Sequence, residues 1–147
     1  MKTRLVLELP SDVHAIERAV ERVLEKCKRC SQLPPPLRTK LRVSLSEALS
    51  NAVLYGNGRD PGKRVHLDVE VDPDRLTAQV TDEGDGFDPD TIPDPRLPEN
   101  RHALRGRGLF LMRKLMDEVR YNERGNSVTL VMRLNRRTGE VANGARR

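Results

Sequence analysis

The chain has 147 residues, the usual size of one domain, with 36% hydrophobic residues and a formal charge of +5. It has no Trp and only two Phe and two Tyr, so its core must be aliphatic. Both signs of charge are interspersed and no basic block is interleaved with aromatics, which argues against direct nucleic-acid binding.

Residues 4–9, "RLVLEL", predict a short strand closed by Pro10. The N-terminal stretch "MKTRLVLELPSD" lacks a signal-peptide pattern, because Glu8 and Pro10 break its apolar run. No apolar stretch approaches the roughly 20 residues of a membrane span, so a cytoplasmic protein without membrane contact is expected. Ser11 or Asp12 then caps a helix whose stripe is Val13, Ile16, Val20, Val23, Leu24 and Cys27. His14, in its first turn, reads as solvent-facing rather than as a phosphoacceptor. Cys27 and Cys30 form a C-x-x-C near the end of this helix. A redox pair belongs at a helix N-terminus, and zinc needs ligands that the scattered His14, His66 and His102 do not supply. The pair is read as packing and surface cysteines.

"LPPPL" at 33–37 breaks the chain, and a second helix starts around Pro36 or Leu37. Leu41, Leu45, Ala48, Leu49 and Ala52 make its core stripe. Ser44, Glu47, Asn51 and Tyr55 fall on a neighbouring face, and Gly56 and Gly58 end the helix. Residues 64–71 and 75–82 alternate apolar and polar around a tight "DPD" turn, which predicts an antiparallel hairpin. Asp82 continues the inward series Leu76, Ala78, Val80, so its carboxylate points to the apolar face and needs a partner.

Residues 83–105 are rich in Gly, Pro, Asp and Arg and read as a long loop, either a functional lid or disordered. "RGLFLMRKLM" (107–116) predicts a helix. "EVRYNE" and "NSVTLVMRL" predict a last hairpin around "RGN", with Val128, Leu130, Met132 and Leu134 on one face. The tail from Arg136 has little apolar content and is expected to be mobile, which gives a domain over 1–135 and a tail over 136–147. The order β, α, α, β, β, loop, α, β, β predicts an α+β, two-layer sandwich. One mostly antiparallel sheet would be covered on one face by helices.

Three motifs stand out: Glu47-x-x-x-Asn51-Ala52, Asp82-x-Gly84-x-Gly86-Phe87, and Gly106-x-Gly108-Leu109 at the start of a helix. Each has a plain reading: a solvated helix face, a turn, a linker. "DEGDGF" also lacks the length and terminal Glu of a calcium hand. Together they describe a nucleotide site. Glycines at a helix start let backbone N–H groups approach a phosphate. An inward Asp beside glycines can accept the amino proton of a purine in an apolar slot. The Asn51 amide oxygen suits Mg²⁺. Glu47, one turn earlier, could take a proton from a water or hydroxyl aimed at a terminal phosphate.

The three motifs, in this order, resemble the N, G1 and G2 boxes of the GHKL (Bergerat-fold) ATPase superfamily, which includes gyrase, histidine kinases and the MutL repair protein. The resemblance covers roughly residues 5–134. "LPSD" and "RGRGLFLMRKLMDEV" look most like anti-sigma factor serine kinases of the RsbW and SpoIIAB type. The resemblance implies that Glu47 is the general base and Asn51 the magnesium ligand. It implies that Asp82 binds the adenine amino group, that Gly84 and Gly86 shape the purine pocket, and that Gly106 and Gly108 lie along the phosphates with Arg105 on the terminal phosphate. Many relatives carry a Thr after the glycine of the last hairpin to support the Asp through water. Here the sequence is Gly125-Asn126-Ser127, and Asn126 shares the inward parity.

The function implied is that of a homodimeric, ATP- and Mg²⁺-dependent serine/threonine protein kinase. It would bind a sigma factor and phosphorylate a small anti-sigma-factor antagonist. The alternatives are a non-catalytic switch in which ATP orders the 83–105 lid, or a histidine kinase-type catalytic module.

Overall fold

The computed structural model describes residues 2–31, 33–86 and 104–134, with 28–31 and 104–107 as backbone only. Strand β1 (Thr3–Pro10) leads through a 3-10 turn (Val13–Ala15) into α1 (Ile16–Ser31). Helix α2 (Pro35–Asn51) runs into a π-helical turn (Ala52–Gly56). Then follow β2 (Arg64–Val71), β3 (Arg75–Thr81), α3 (Leu104–Leu115), β4 (Glu118–Tyr121) and β5 (Ser127–Arg133). The strands form one five-stranded sheet in the order β1-β2-β3-β5-β4, and every pairing is antiparallel.

The register puts one set of side chains on one face. Leu67 lies between Leu7 and Val80, Val69 between Leu5 and Ala78, and Leu130 between Ala78 and Val119. This face meets the stripes of α1 and α2 in one core that includes Val20, Val23, Leu41, Leu45 and Leu49. Each such fully buried aliphatic side chain contributes roughly 1.5–3 kcal/mol relative to exposure. The opposite face carries the polar partners of the alternation: Arg4, Glu8, His66, Asp68, Gln79 and Thr129. The α+β two-layer sandwich expected from the element order is the fold observed.

Several local expectations are corrected. Val13 lies in the 3-10 turn, off the 3.6-residue stripe, and is 39% exposed. Asp12 is the cap, accepting a hydrogen bond from the His14 N–H at 2.9 Å. Helix α2 begins at Pro35, because the Pro34 carbonyl already accepts from Leu37 and Arg38 N–H. Ser44 is fully buried, and among the described residues its hydroxyl has no hydrogen-bond partner. Helix α3 begins at Leu104, three residues before the predicted start, so Gly106 and Gly108 lie inside its first turns. Val131 is buried although it points away from the helices. Cys27 is fully buried; the Cys30 side chain, His102, Phe87, the central part of the predicted loop and the tail lie outside the described residues. Among the described residues no helix is long and apolar enough to cross a membrane.

On the open face, Arg4 Nε and Nη2 donate to Asp68 Oδ1 and Oδ2 at 3.0 and 2.6 Å, tying β1 to β2. The Arg4 hydrogen bonds hold the Asp68 carboxyl below its ordinary value of 3.8. A carboxyl depressed on folding stabilises the fold above the unfolded pKa, and that contribution is lost as pH falls through the folded pKa. Wild type should therefore melt above Asp68→Asn at pH 7. The difference should shrink as pH drops below about 4, and with added salt because the pair is partly exposed. Thermal melts of both proteins between pH 7 and 3 check this.

Candidate functional site

The site begins with two stripes on one helix. Leu41, Leu45, Ala48 and Leu49 of α2 face the sheet. Ser44, Glu47 and Asn51, spaced three and four apart, share an adjacent face. Helix α3 packs on α2 and brings Gly108 against that face. A Cβ at Gly108 would lie 2.7 Å from Glu47 Oε2 and 3.4 Å from Asn51 Nδ2. A side chain at this position would push the Glu47 carboxylate aside, so the glycine lets α3 pass close without disturbing it.

The second half lies at the end of β3. Asp82 is 9% exposed and keeps the inward parity of Leu76, Ala78 and Val80. Its Oδ1 accepts from Gly84 N–H at 2.8 Å. The carboxylate sits where a Gly56 side chain would be, since a Cβ there would lie 2.2 Å from Asp82 Oδ2. A Cβ on Gly84 would lie 1.8 Å from the Gly56 carbonyl oxygen, and one on Gly86 (φ +87) 1.9 Å from that of Arg124. The turn after β3 is thus packed backbone to backbone against the end of the π-helical turn and against the β4–β5 turn.

Asn126 holds Asp82 from the other side. Its carbonyl accepts from Asp82 N–H at 2.9 Å, and its Nδ2 donates to the Asp82 main-chain carbonyl at 3.1 Å. Asn122 Nδ2 donates to Asn126 Oδ1 at 2.7 Å and so orients that amide. The Asn126 side chain thus supports Asp82 directly through its main chain. Ala48, Asn51, Ala52, Val80, Asp82, Tyr121, Gly125, Asn126 and Val128 line one cleft. Its walls are mostly apolar, with Tyr121 among them, and its other polar side chains are Asp82, Asn126 and Asn51.

Residues 9–132 match the histidine kinase-like ATPase domain family. The chain belongs to this family. Similar proteins include the serine-protein kinase RsbW of Bacillus subtilis (strain 168), 38% identical over 102 residues, which cover 65% of this chain and 64% of that protein. The protein of the same name in Bacillus licheniformis is 38% identical over 106 residues with the same coverages. The one in Listeria monocytogenes serotype 4a is 32% identical over 108 residues, 68% of each chain. The chain thus spans just under two thirds of the length of the two Bacillus relatives it matches.

The residues present fit the ATP that a histidine kinase-like ATPase domain takes. A mostly apolar lining with an inward carboxylate is the chemistry that suits a flat purine with an amino group, although the cleft as it stands encloses only about 20 Å³, well below the ~300 Å³ of a typical small-molecule site. Mg²⁺ prefers oxygen ligands and needs few from the protein, and the Asn51 amide oxygen would be one. The first turn of α3, with Gly106 in it, offers N–H groups that have no partner within the helix to an anion. Gly84 and Gly86 do not themselves line the cleft. They permit the close packing that aims Asp82. The Arg105 side chain lies outside the described residues.

Sequence reading missed three members of this site. Gly56 reads as a helix terminator, yet it makes the room for the Asp82 carboxylate. Tyr121 reads only as a strand residue. Asn57 reads as part of a break, yet it is 3% exposed and fully engaged. The available signal was the pairing of Gly56 with an inward Asp82, but only the register brings the two together.

Gly56→Ala should displace the Asp82 carboxylate and lower ATP affinity at least ~10-fold, with a stability cost of about 1–3 kcal/mol from overpacking. Titration calorimetry with ATP and urea unfolding measure the two effects.

Proposed function

We propose that this chain is an ATP- and Mg²⁺-dependent serine/threonine protein kinase of the anti-sigma-factor type. It acts in the cytoplasm as a homodimer, binds a sigma factor and phosphorylates a small antagonist protein. The observation that carries this reading is the convergence of Glu47 and Asn51 on Gly108 of α3, next to the Asp82 cleft. Similarity to proteins named serine-protein kinase supports the choice of hydroxyl acceptor.

In this reading the adenine lies in the cleft with its amino group on Asp82. Asn51 would hold a Mg²⁺ ion, which would supply positive charge beside the phosphates. Glu47 accepts the proton of the substrate hydroxyl as its oxygen attacks phosphorus. Phosphoryl transfer asks mainly for positioning and charge neutralisation. Two residues one turn apart on a packed helix supply both, with little freedom to wander.

Phosphotransfer from labelled ATP with Mg²⁺ into the cell's soluble proteins tests the proposal. Wild type should place an acid-stable label on one small protein. Glu47→Ala should lower that transfer by roughly 10²–10⁴-fold while ATP binding persists. An acid-labile label would instead support a histidine kinase-type module. ATP binding with no label would support a nucleotide-gated switch without catalysis.

A further inference from the structure

Asn57 is a buried amide directly after the π-helical turn, and no role in the proposed reaction requires it. Its side chain spans three segments of the chain. Oδ1 accepts from Glu83 N–H at 2.7 Å, across 26 residues of sequence. Nδ2 donates to the Arg64 carbonyl and to Ser11 Oγ, each at 2.9 Å. Ser11 Oγ in turn donates to the Lys63 carbonyl at 2.6 Å. The amide orientation is fixed by chemistry, because the Arg64 carbonyl needs a donor and the Glu83 N–H needs an acceptor.

The Glu83 N–H belongs to the same peptide unit as the Asp82 carbonyl. That unit is therefore gripped at both ends: the carbonyl by Asn126 Nδ2 and the N–H by Asn57 Oδ1. Because peptide units are planar, the two grips fix the rotation of the backbone just after the Asp82 Cα. The Asp82 carboxylate hangs from that Cα. Alternation adds a second hold. Glu83 follows an inward residue and points to the open face, where Oε1 accepts from Arg64 N–H at 3.0 Å and Oε2 meets His66 Nε2 at 3.0 Å.

We propose that Asn57 is a positioning residue for base selection. It holds the Asp82–Glu83 peptide so that the Asp82 carboxylate faces the exocyclic amino group of adenine and opposes the carbonyl oxygen that guanine carries at the same ring position. The role rests on the reading of the cleft as an ATP site. A fixed acceptor rejects a second acceptor, and a loose one turns aside. Selectivity for ATP over GTP thus depends on how firmly this peptide is held.

The test compares Asn57→Ala with Asn57→Asp, using ATP and GTP affinities by titration calorimetry below the melting temperature of each variant. Asn57→Asp keeps an acceptor for Glu83 N–H but loses both Nδ2 donors. Asn57→Ala loses both. The expected result is that the GTP/ATP ratio of Kd values falls about 10-fold in Asn57→Ala and stays within about 2-fold of wild type in Asn57→Asp, although Asn57→Asp melts no higher. A purely structural residue would make selectivity follow stability, and an Asn57→Ala protein with wild-type selectivity would overturn the role. A wild-type protein that shows no preference for ATP would overturn the ATP reading and this role with it. If Asn57→Ala does not fold, amide hydrogen exchange in wild type decides the matter. Glu83 N–H should exchange as slowly as the β3 amides although it lies beyond the strand, and fast exchange would overturn the proposal.

Discussion

An inward carboxylate at the end of a β-strand is the constraint around which this domain is arranged. Asp82 sits where the alternation of β3 would place another apolar residue, and at 9% exposure it has lost most of its water. A buried carboxylate needs donors, close packing and a fixed direction. Gly84 N–H supplies a donor, Gly56 supplies the space, and Asn126 and Asn57 grip the two ends of the peptide unit that follows the Asp82 Cα. The end of α2, the turn after β3 and the β4–β5 turn meet at this one side chain. The cleft that results is lined mainly by apolar residues, with Asp82, Asn51 and Asn126 among its polar groups.

The second half of the site depends on a different economy. Helix α2 fills the core with one stripe and presents Glu47 and Asn51 with the next. A helix fixed by Leu41, Leu45 and Leu49, each fully buried, holds those two polar side chains at a set height above the sheet. Gly108 then lets α3 close on them. Packing and chemistry are thus carried by the same seventeen-residue element, and neither stripe can rotate without the other.

Much of this was legible from the residues themselves. Period-2 alternation in β2, β3 and β5 and helical stripes in α1 and α2 follow from which face each element buries, so the two-layer fold and the inward direction of Asp82 could be deduced. Local exceptions were not. Val13 escapes the stripe because the chain enters α1 through a 3-10 turn, and Ser44, on the same helix face as Glu47, is fully buried. The roles of Gly56 and Asn57 depend on contacts with residues 82–84, which no local pattern encodes. Asn57 in "GNG" looks like turn composition until its Oδ1 is found on Glu83 N–H.

Asp82 is the group proposed to select the base. An Asn at this position would replace one carboxylate oxygen with an NH2 donor, so the side chain would no longer offer acceptors alone. The most direct measurement is therefore the affinity of Asp82→Asn for ATP and for GTP, with a melt to confirm the fold. The account predicts a loss of ATP affinity of about 10–100-fold and a weakened or reversed preference over GTP. A folded Asp82→Asn protein that binds ATP as wild type does, with the same discrimination against GTP, would contradict it.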